Sequence, residues 1–542
     1  MNAKQQQRAK RFSRNNNKDK DFRQDSTDNR YSKGAPSKVT VETTHGYNDV
    51  SWYAKNTQLL EDAASYSYGT PLGAKLPNLY ADNTVNPPTI AVPGLLAYNI
   101  LIGPGLSTDS SSPANMAANN IYAYTRYMNS GAKNYDQADQ MLYILAMDSL
   151  YAAWNWCKRI YGYMSTYSQV NRYMPRAYAK ADGVDFDDIL SNLANFREWL
   201  NTIAAQISSF CVPGTMSFCV RHSWMFSNIY KDSEVLKAQQ YMFVPAGFYM
   251  YNETGSEYGG QLVFQPIEHA SGAPLTFKML QNKLKAMIDA VAYSEDIGIM
   301  SGDILKAYGQ GSLFKITAVD PSYSILPIYN EEVLNQMHNS SLCPFTTNPS
   351  SSPSYTSTWN ITQNPDTGFL IWDPWYDVIQ NEKARTKFML NMPWENPTPA
   401  NNMVASRLTA MWAYGSVPGQ TSKMGSHLVH AGSEVVVQRM IFYFSTAGNN
   451  GWDIVGDIRT TESIFFGSGA PSSATIQYLA LVTNFDWHPL VPVLSQPSGT
   501  LPTLVGLVGD ISNYTIIGEN ELSMMHLTAL LSEFNVPQIG SF

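Results

Sequence analysis

One long stretch of the chain, Gln137–Met164, would carry apolar side chains on nearly all sides if it formed a helix. Its apolar residues recur at steps of three and four, a spacing that predicts an α-helix. A helix that is apolar around most of its circumference must be covered on several faces. We therefore expect this helix to lie inside the folded body, with other elements packed around it. Its inner side is marked by Met141, Leu142, Leu145, Tyr151, Trp154 and Ile160.

Other segments with helical spacing occur before and after this one. The clearest runs over residues 186–207, where Asp185 is placed to cap the first turn and Pro213 and Gly214 follow the end. These patterns predict helices over residues 115–128, 186–207, 275–291 and 521–534.

The region from 343 to 496 differs from the preceding one in composition and in the length of its apolar runs. Clusters of Pro, Ser, Thr, Asn and Gly at 348–354, 396–402 and 467–473 separate short apolar runs. Residues 435–444 and 474–485 are the best predicted strands, and the Asn-Gly pair at 450–451 is a hairpin-turn signal. The pattern indicates a β-rich module inserted in a helical body.

We therefore predict an α+β protein with four parts. Residues 1–40 form a disordered basic arm, and 41–342 form the first part of a mainly α-helical domain. Residues 343–496 form the inserted β-rich domain, and 497–542 return to the helical domain.

The basic arm differs sharply in charge from the rest of the chain. Residues 1–38 contain eleven basic and four acidic side chains, a net charge of +7, whereas the remainder has 25 basic and 40 acidic side chains, a net charge of −15. Irregularly spaced cationic side chains among Gln and Asn are suited to contacts with the phosphates of a nucleic acid and not to recognition of its bases. As a flexible coil the arm would reach about 35 Å. The predicted nucleic-acid-binding residues are Lys4, Arg8, Lys10, Arg11, Arg14, Lys18, Lys20, Arg23, Arg30, Lys33 and Lys38. A solubilising tail or a targeting signal would have a similar composition.

Composition outside the arm favours extensive contacts between subunits. Charged residues make up 15% of the chain, compared with about 25% in a typical soluble domain, and aromatic residues reach 12%. Interface centres are poor in Lys, Glu and Asp and rich in Tyr, Trp, Phe and Met. We interpret the aromatic and Met-rich stretches at 122–128 and 161–167 as core or subunit-contact packing.

Several classes of protein are disfavoured by what the sequence lacks. The N-terminus has no apolar signal-peptide core, and Pro and Gly interrupt the most apolar stretch, 89–106, so that a buried or subunit-contacting segment is the better interpretation. The cysteines have neither zinc-site nor disulfide-scaffold spacing and are expected to be reduced thiols: Cys157, Cys211, Cys219 and Cys343.

We find no motif that indicates catalysis, a cofactor or a metal. Phosphate-binding loops, GxGxxG, HExxH and GxSxG patterns do not occur. His427, His430 and Glu434 could be written as metal ligands, but their spacing does not place them on one face. His222 near Cys219 is better explained as a buried, hydrogen-bonded histidine beside a core cysteine than as a base beside a nucleophile.

Several stretches resemble picobirnavirus capsid proteins. The resemblance is most specific over residues 115–251, and chain length and the basic arm also fit. The segments that carry it are NNIYAYTRYMNSGAKNYDQADQMLYILAMDSLYAAWNW from 119, NRYMPRAY from 171, LANFREWL from 193, CVPGTMSFCVRH from 211 and QYMFVPAGFYMY from 240.

The resemblance implies a coat protein found in the virion, and in the host cytoplasm before assembly. It implies symmetric dimers in an icosahedral shell around genomic double-stranded RNA, with the helical part as shell domain and the β-rich part as protruding domain. Some relatives remove an N-terminal piece by self-cleavage and disturb membranes when the virus enters a cell, which would add a host membrane or receptor to the partners. We recognise no motif in this chain from which a cleavage residue could be assigned.

Two other functions stay open at this point. An RNA-binding enzyme with a basic tail would show turnover in an assay of the purified protein. A membrane-perforating protein would release dye from liposomes. The low charge, the aromatic content and the basic arm are best explained together by subunits that bury apolar surface against one another. In this interpretation the arm recruits RNA.

Overall fold

The computed structural model describes residues 50–69, 72, 75–76, 90–130, 135–166, 174–256, 259–267, 273–343, 359–376, 384–416, 424–443, 457–459, 462–466, 473–495 and 503–535. The predicted disordered arm and the predicted Asn-Gly hairpin turn at 450–451 lie outside these residues.

Helices and strands both occur along the described chain, which confirms the predicted α+β class. The helices are α1 (Thr57–Ala64), α2 (Pro113–Met128), α3 (Gln137–Met164), α4 (Met174–Ala181), α5 (Phe186–Ser191), α6 (Leu193–Ile207), α7 (Ser217–Met225), α8 (Phe277–Ala292), α9 (Glu295–Tyr308), α10 (Glu331–His338), α11 (Pro399–Ala405), α12 (Ser473–Val482) and α13 (Glu519–Glu533). The strands are β1 (Lys75–Leu76), β2 (Ile90–Ala91), β3 (Leu95–Ile102), β4 (Tyr230–Lys231), β5 (Gln240–Pro245), β6 (Gly247–Ser256), β7 (Gly259–Pro266), β8 (Thr362–Gln363), β9 (Leu370–Ile371), β10 (Trp375–Tyr376), β11 (Lys387–Met392), β12 (Met411–Ser416), β13 (Met424–His430), β14 (Glu434–Phe442), β15 (Asp457–Arg459), β16 (Ile464–Phe466), β17 (Val491–Ser495), β18 (Thr503–Val508) and β19 (Asn513–Gly518).

The chain divides into two compact units, Met1–Tyr68 and Gly69–Phe542. In the first unit, the described residues form a short 3-10 turn and α1. Asn56 caps α1 by accepting a hydrogen bond from the Gln58 amide, and no residue of the helix is buried. The second unit contains all the other elements.

Helix α3 lies in the core of the second unit, as its sequence predicts. Asp136 caps its first turn by accepting hydrogen bonds from the amides of Ala138 and Asp139, and nearly every residue of the helix is buried. Because its neighbours include α2, α6, α7, α8 and the β6–β7 hairpin, apolar side chains are needed around its whole circumference. The predicted bounds, Gln137 and Met164, are confirmed.

The largest sheet has the strand order β15-β14-β3-β5-β4. β3 runs parallel to β5 and antiparallel to β14, and every residue of β3 is buried. The apolar stretch 89–106 is buried over most of its described length, in agreement with the interpretation as a buried segment, and its central part forms β3. β14, which confirms the strand predicted at 435–444, joins a segment of the predicted β-rich module to the same sheet as β3. The predicted domain boundaries stay a prediction.

The helix predicted over 186–207 is wrong in one respect, because the chain breaks into α5 and α6 at Asn192. The Asn192 side-chain amide donates a hydrogen bond to the Asp188 carbonyl at 2.8 Å, and its backbone N–H bonds to Ile189 instead. A side chain that competes for backbone carbonyls favours a helix end over a helix interior. Asp185 caps α5, as predicted, by accepting from the amides at 187 and 188.

The strand predicted at 474–485 is also wrong, because residues 473–482 form α12. The run is apolar without clear alternation, and a short apolar run does not by itself distinguish a strand from a helix. In the structure Leu481, Val482 and Phe485 are buried, whereas Ile476 is exposed. The other predicted helices are confirmed: 115–128 as α2, 275–291 as α8 and 521–534 as α13, with bounds shifted by at most two residues.

The C-terminal part folds around a small second core. β11 pairs with β19 in an antiparallel two-stranded sheet, and α13 follows β19 directly. One face of this sheet and the inner side of α13 meet in a cluster of Leu390, Met392, Ala405, Met411, Ile517 and Leu522. Among the described residues, no helix is both long and apolar enough to cross a membrane.

Candidate assembly surfaces and buried charge networks

The residues predicted to bind nucleic acid all lie between positions 4 and 38, outside the described part of the chain. Their role therefore stays a prediction. What the structure describes is the body that the arm would be attached to, its exposed apolar surfaces and the polar contacts inside it.

Three groups of residues contain most of the exposed large apolar side chains of the described chain. The densest is the C-terminal stretch 503–527, where Leu504, Val505, Ile511, Tyr514, Ile516, Met524 and Leu527 are exposed. A second comprises Val50, Trp52, Tyr53, Leu59, Tyr66 and Tyr68 in the first unit. A third comprises Val235, Leu236, Leu326, Ile328 and Tyr329 beside β4, where the Ile328 amide donates to the Ile229 carbonyl. Exposed apolar groups of this kind are candidate sites of interaction where their side chains adjoin one another on the surface.

The aromatic stretches that we interpreted as packing fall into two groups. Tyr161, Tyr163 and Met164 are buried in the core, which confirms the interpretation there. On α2, Tyr124 contacts the ring of Tyr308, but Tyr127 is exposed on the surface. The aromatic stretch on α2 is thus a candidate contact surface and contributes little to the core.

A fully buried ion pair lies in the helical core, between Arg159 on α3 and Asp182 just after α4. The Arg159 Nη2 and Asp182 Oδ1 atoms are 2.6 Å apart, and both side chains are 0% exposed. Trp156 and Tyr163 also donate hydrogen bonds to the Asp182 carboxylate, and Arg159 donates to the Phe243 carbonyl of β5. The pair thereby joins α3, the end of α4 and strand β5 of the largest sheet.

A larger charge network fixes the C-terminal helix to the rest of the body. Arg407 Nη2 lies 2.9 Å from Glu434 Oε2 at the start of β14 and 3.0 Å from Glu533 Oε1 on α13. Arg221 on α7 also pairs with Glu434. Burial by itself would raise the pKa of Glu434, but the two guanidinium groups hold that pKa well below its usual range. Burial raises the pKa of Glu533, with the nearby Glu434 carboxylate acting in the same direction.

His222 is buried, and its Nδ1 atom lies 2.6 Å from the Asp148 carboxylate on α3. Burial by itself would lower the pKa of His222, but the carboxylates of Asp148, Glu434 and Glu533 together outweigh it and raise that pKa. Burial raises the pKa of the neighbouring Cys219 thiol well above its usual value, so the thiol stays protonated and unreactive. The interpretation as a structural histidine beside a core cysteine is confirmed.

The three residues that could be written as metal ligands do not form a metal site in the described part of the chain. The His427 ring on β13 packs against Trp375 at 4.7 Å, and Glu434 belongs to the arginine network. Among the described residues, no group of three or more His, Cys, Asp or Glu side chains is placed to hold a metal ion.

A polar network around His338 holds the turn that leads into β19. His338 Nδ1 donates to the His488 carbonyl at 2.7 Å, and its Nε2 accepts from the Asn391 side-chain amide at 3.0 Å. Asn391 also donates to the Asp510 carbonyl and accepts from the Ser512 amide. Burial lowers the pKa of His338 to about 4, so the ring is neutral at physiological pH.

These networks act by positioning elements, since their charged groups are paired with one another inside the body. They were missed in the sequence because their partners are far apart in the chain. The sequence does contain a signal for the exposed apolar residues of 503–527. The runs TLVGLV and NYTIIG have the composition of strands and contain no charged residue.

Comparison with known proteins identifies what the whole chain is similar to. The family model for the picobirnavirus capsid protein matches residues 52–496. The capsid protein precursor of human picobirnavirus (strain Human/Thailand/Hy005102/-) is 32% identical over 541 residues, which cover 94% of this chain and 96% of that protein. The crystal structure of the picobirnavirus capsid superimposes with a TM-score of 0.77 at 23% identity, over 91% of this chain and all of that one.

Proposed function

The chain belongs to the picobirnavirus capsid protein family, and on that premise we propose that it assembles as dimers into an icosahedral shell around double-stranded RNA. Family membership gives a structural, non-enzymatic protein of the virion. The dimeric building unit, the contact with RNA and a stage in the host cytoplasm before assembly are the parts that we propose. The observation that carries the proposal is the match over nearly the full length of a capsid protein.

The properties of the body support self-association. Its surface presents exposed apolar side chains in three groups of residues, which would lower their contact with water by packing against other copies. A contact that holds an obligate assembly together typically buries about 2,000 Å² or more. The buried charge networks keep the C-terminal stretch, the richest in exposed apolar residues, fixed relative to the core.

Electron microscopy of the expressed full-length protein tests the assembly. We expect closed particles of uniform size in negative stain. A purified protein that remains monomeric at high concentration would exclude the proposal.

Deleting residues 1–38 is expected to leave particle assembly intact and to empty the particles of RNA. The arm contributes eleven cations, and each phosphate that a cation neutralises releases counterions, which favours binding. We expect the ratio of absorbance at 260 nm to that at 280 nm to fall to the value of protein alone.

A full-length variant with all eleven basic residues of the arm replaced by Gln is the matched control for chain length. It should lose RNA to the same degree as the deletion, since the charge and not the length of the arm is proposed to bind. Purified variant particles with unchanged absorbance at 260 nm would contradict the RNA-binding role. N-terminal self-cleavage and contacts with a host membrane or receptor stay predictions of the resemblance.

A further inference from the structure

The outer side of β19 has the properties of a strand that pairs with another strand. β19 pairs with β11 along one edge, and among the described residues no strand pairs with its other edge. Tyr514 is 56% and Ile516 is 55% exposed, and the intervening Thr515 is exposed as well. An open edge presents N–H and C=O groups that lack a ladder partner.

Soluble proteins usually protect such an edge with charge, proline or a bulge. β19, with the sequence NYTIIG, has neither a charged residue nor a proline, and its ladder with β11 runs through all six residues without a register shift. A regular, uncharged and apolar edge strand would be a liability on a free monomer. It is well suited to an interface between chains.

The two faces of the β11–β19 sheet differ. α13 covers the face with Leu390 and Ile517, which belongs to the second core. On the opposite face, Tyr514 and Ile516 of β19 are exposed, whereas Asn391 of β11, which lies opposite Tyr514, is buried. A two-stranded sheet is marginal by itself, so additional strands or cover would stabilise this one.

We propose that β19 pairs antiparallel with β19 of a second copy, across a two-fold axis at Thr515, to give the continuous sheet β11-β19-β19-β11. This inference rests on the proposed capsid function and names one surface through which it acts. A second copy is the occupant because a capsid is built from copies of its capsid protein, and β19 carries no charge that would repel its own copy. A two-fold contact uses the same patch on both subunits.

The register with Thr515 on the axis also suits the side chains. It places Tyr514 of each chain directly opposite Ile516 of the other, which gives two equivalent pairs related by the axis. Pairs of an aromatic and a β-branched residue on neighbouring strands are favourable. Both pairs lie on the face opposite the one that α13 covers.

A single introduced cysteine tests the pairing in the full-length protein. The four native cysteines are all buried and unbridged, so Thr515→Cys would provide the accessible thiol. Residues directly opposite each other on antiparallel strands have Cβ atoms about 4.5 to 5.5 Å apart, close to the range of a disulfide. Under mild oxidation we expect most Thr515→Cys chains to migrate as reducible dimers on a non-reducing gel.

Two controls make the result specific. Thr515→Ser should give no linked dimer. Val505→Cys places a thiol on β18 at a residue that is 64% exposed, and it should also remain unlinked. If both cysteine variants are linked to the same extent, the disulfides report collisions between chains, and the β19 pairing is wrong.

The outcome also separates this inference from the proposed function. Particles in the microscope together with an unlinked Thr515→Cys chain would overturn the β19 pairing and leave the capsid function standing. Monomers without particles would overturn both. Should Thr515→Cys fail to fold, the double variant Tyr514→Cys/Ile516→Cys tests the same register through its two opposite pairs.

Discussion

Replacing Asp182 with alanine is expected to lower the free energy of unfolding by about 3 to 5 kcal/mol. The substitution leaves the Arg159 guanidinium buried without its carboxylate, at a place where neither side chain reaches water. It also removes the acceptor of the hydrogen bonds from Trp156 and Tyr163. Thermal unfolding of the purified protein, followed by intrinsic tryptophan fluorescence, would measure the loss as a large drop in Tm.

The exposed pair of Arg176 and Asp187 provides the matched control. Its side chains are 40% and 71% exposed, although the geometry is bidentate and the distances are 2.8 and 3.0 Å. Since solvent screens such a pair, Asp187→Ala should cost about 1 kcal/mol or less. Equal drops in Tm for the two variants would show that burial does not set the strength of the Asp182 contact.

The position of α3 was predictable from the sequence because all the information is local. Its apolar residues recur at the helical period over 28 residues, and the N-cap Asp136 stands directly before the first turn. Helix type and position therefore follow from the sequence pattern alone. Local information also predicted the cap at Asp185.

Where local signals compete, the predictions were less accurate. The apolar period continues through 186–207, but the Asn192 side chain interrupts the helix by binding the Asp188 carbonyl. In α12 the run SATIQYLALV has strand-like and helix-like features, and contacts in the fold decide between them. In both cases tertiary or side-chain interactions decided the outcome.

The candidate functional sites depend on long-range contacts, which no periodicity reveals. Arg159 and Asp182 are 23 positions apart, and β11 meets β19 across more than one hundred residues of chain. The composition indicated that the body would present apolar surface, and only the uncharged runs within 503–527 carried a local signal for its position. The basic arm was predicted from charge alone, and its binding residues lie outside the described structure.

Acidification from pH 7 to pH 4 is expected to destabilise the fold through histidines that must stay neutral. Burial lowers the pKa of His338 to about 4 and that of His526 to about 3. An unfolded histidine has a pKa of about 6.5, so the folded state binds fewer protons. The contribution of each ring is complete above pH 6.5 and is lost as the pH falls below it. At about 1.4 kcal/mol per pKa unit, His338 loses roughly 3 kcal/mol by pH 4.

The contacts of His338 explain why protonation is unfavourable. Its Nδ1 atom donates to the His488 carbonyl, and its Nε2 atom accepts from the Asn391 amide. A proton on Nε2 would face the Asn391 N–H group and break that bond. Because Asn391 also binds Asp510 and Ser512, the loss would loosen the turn before β19.

Comparison of two variants over pH isolates this effect. His338→Gln should be less stable than the native protein at pH 7, but its Tm should fall less between pH 7 and pH 4 because the titrating group is gone. His222→Gln is the control of opposite sign. The pKa of His222 is raised, so its contribution is fully present below pH 6.5 and is lost only as the pH rises. This variant should therefore keep the acid sensitivity of the native protein. Native-like acid sensitivity in His338→Gln as well would assign the destabilisation to other groups, most directly the carboxylates of the arginine network.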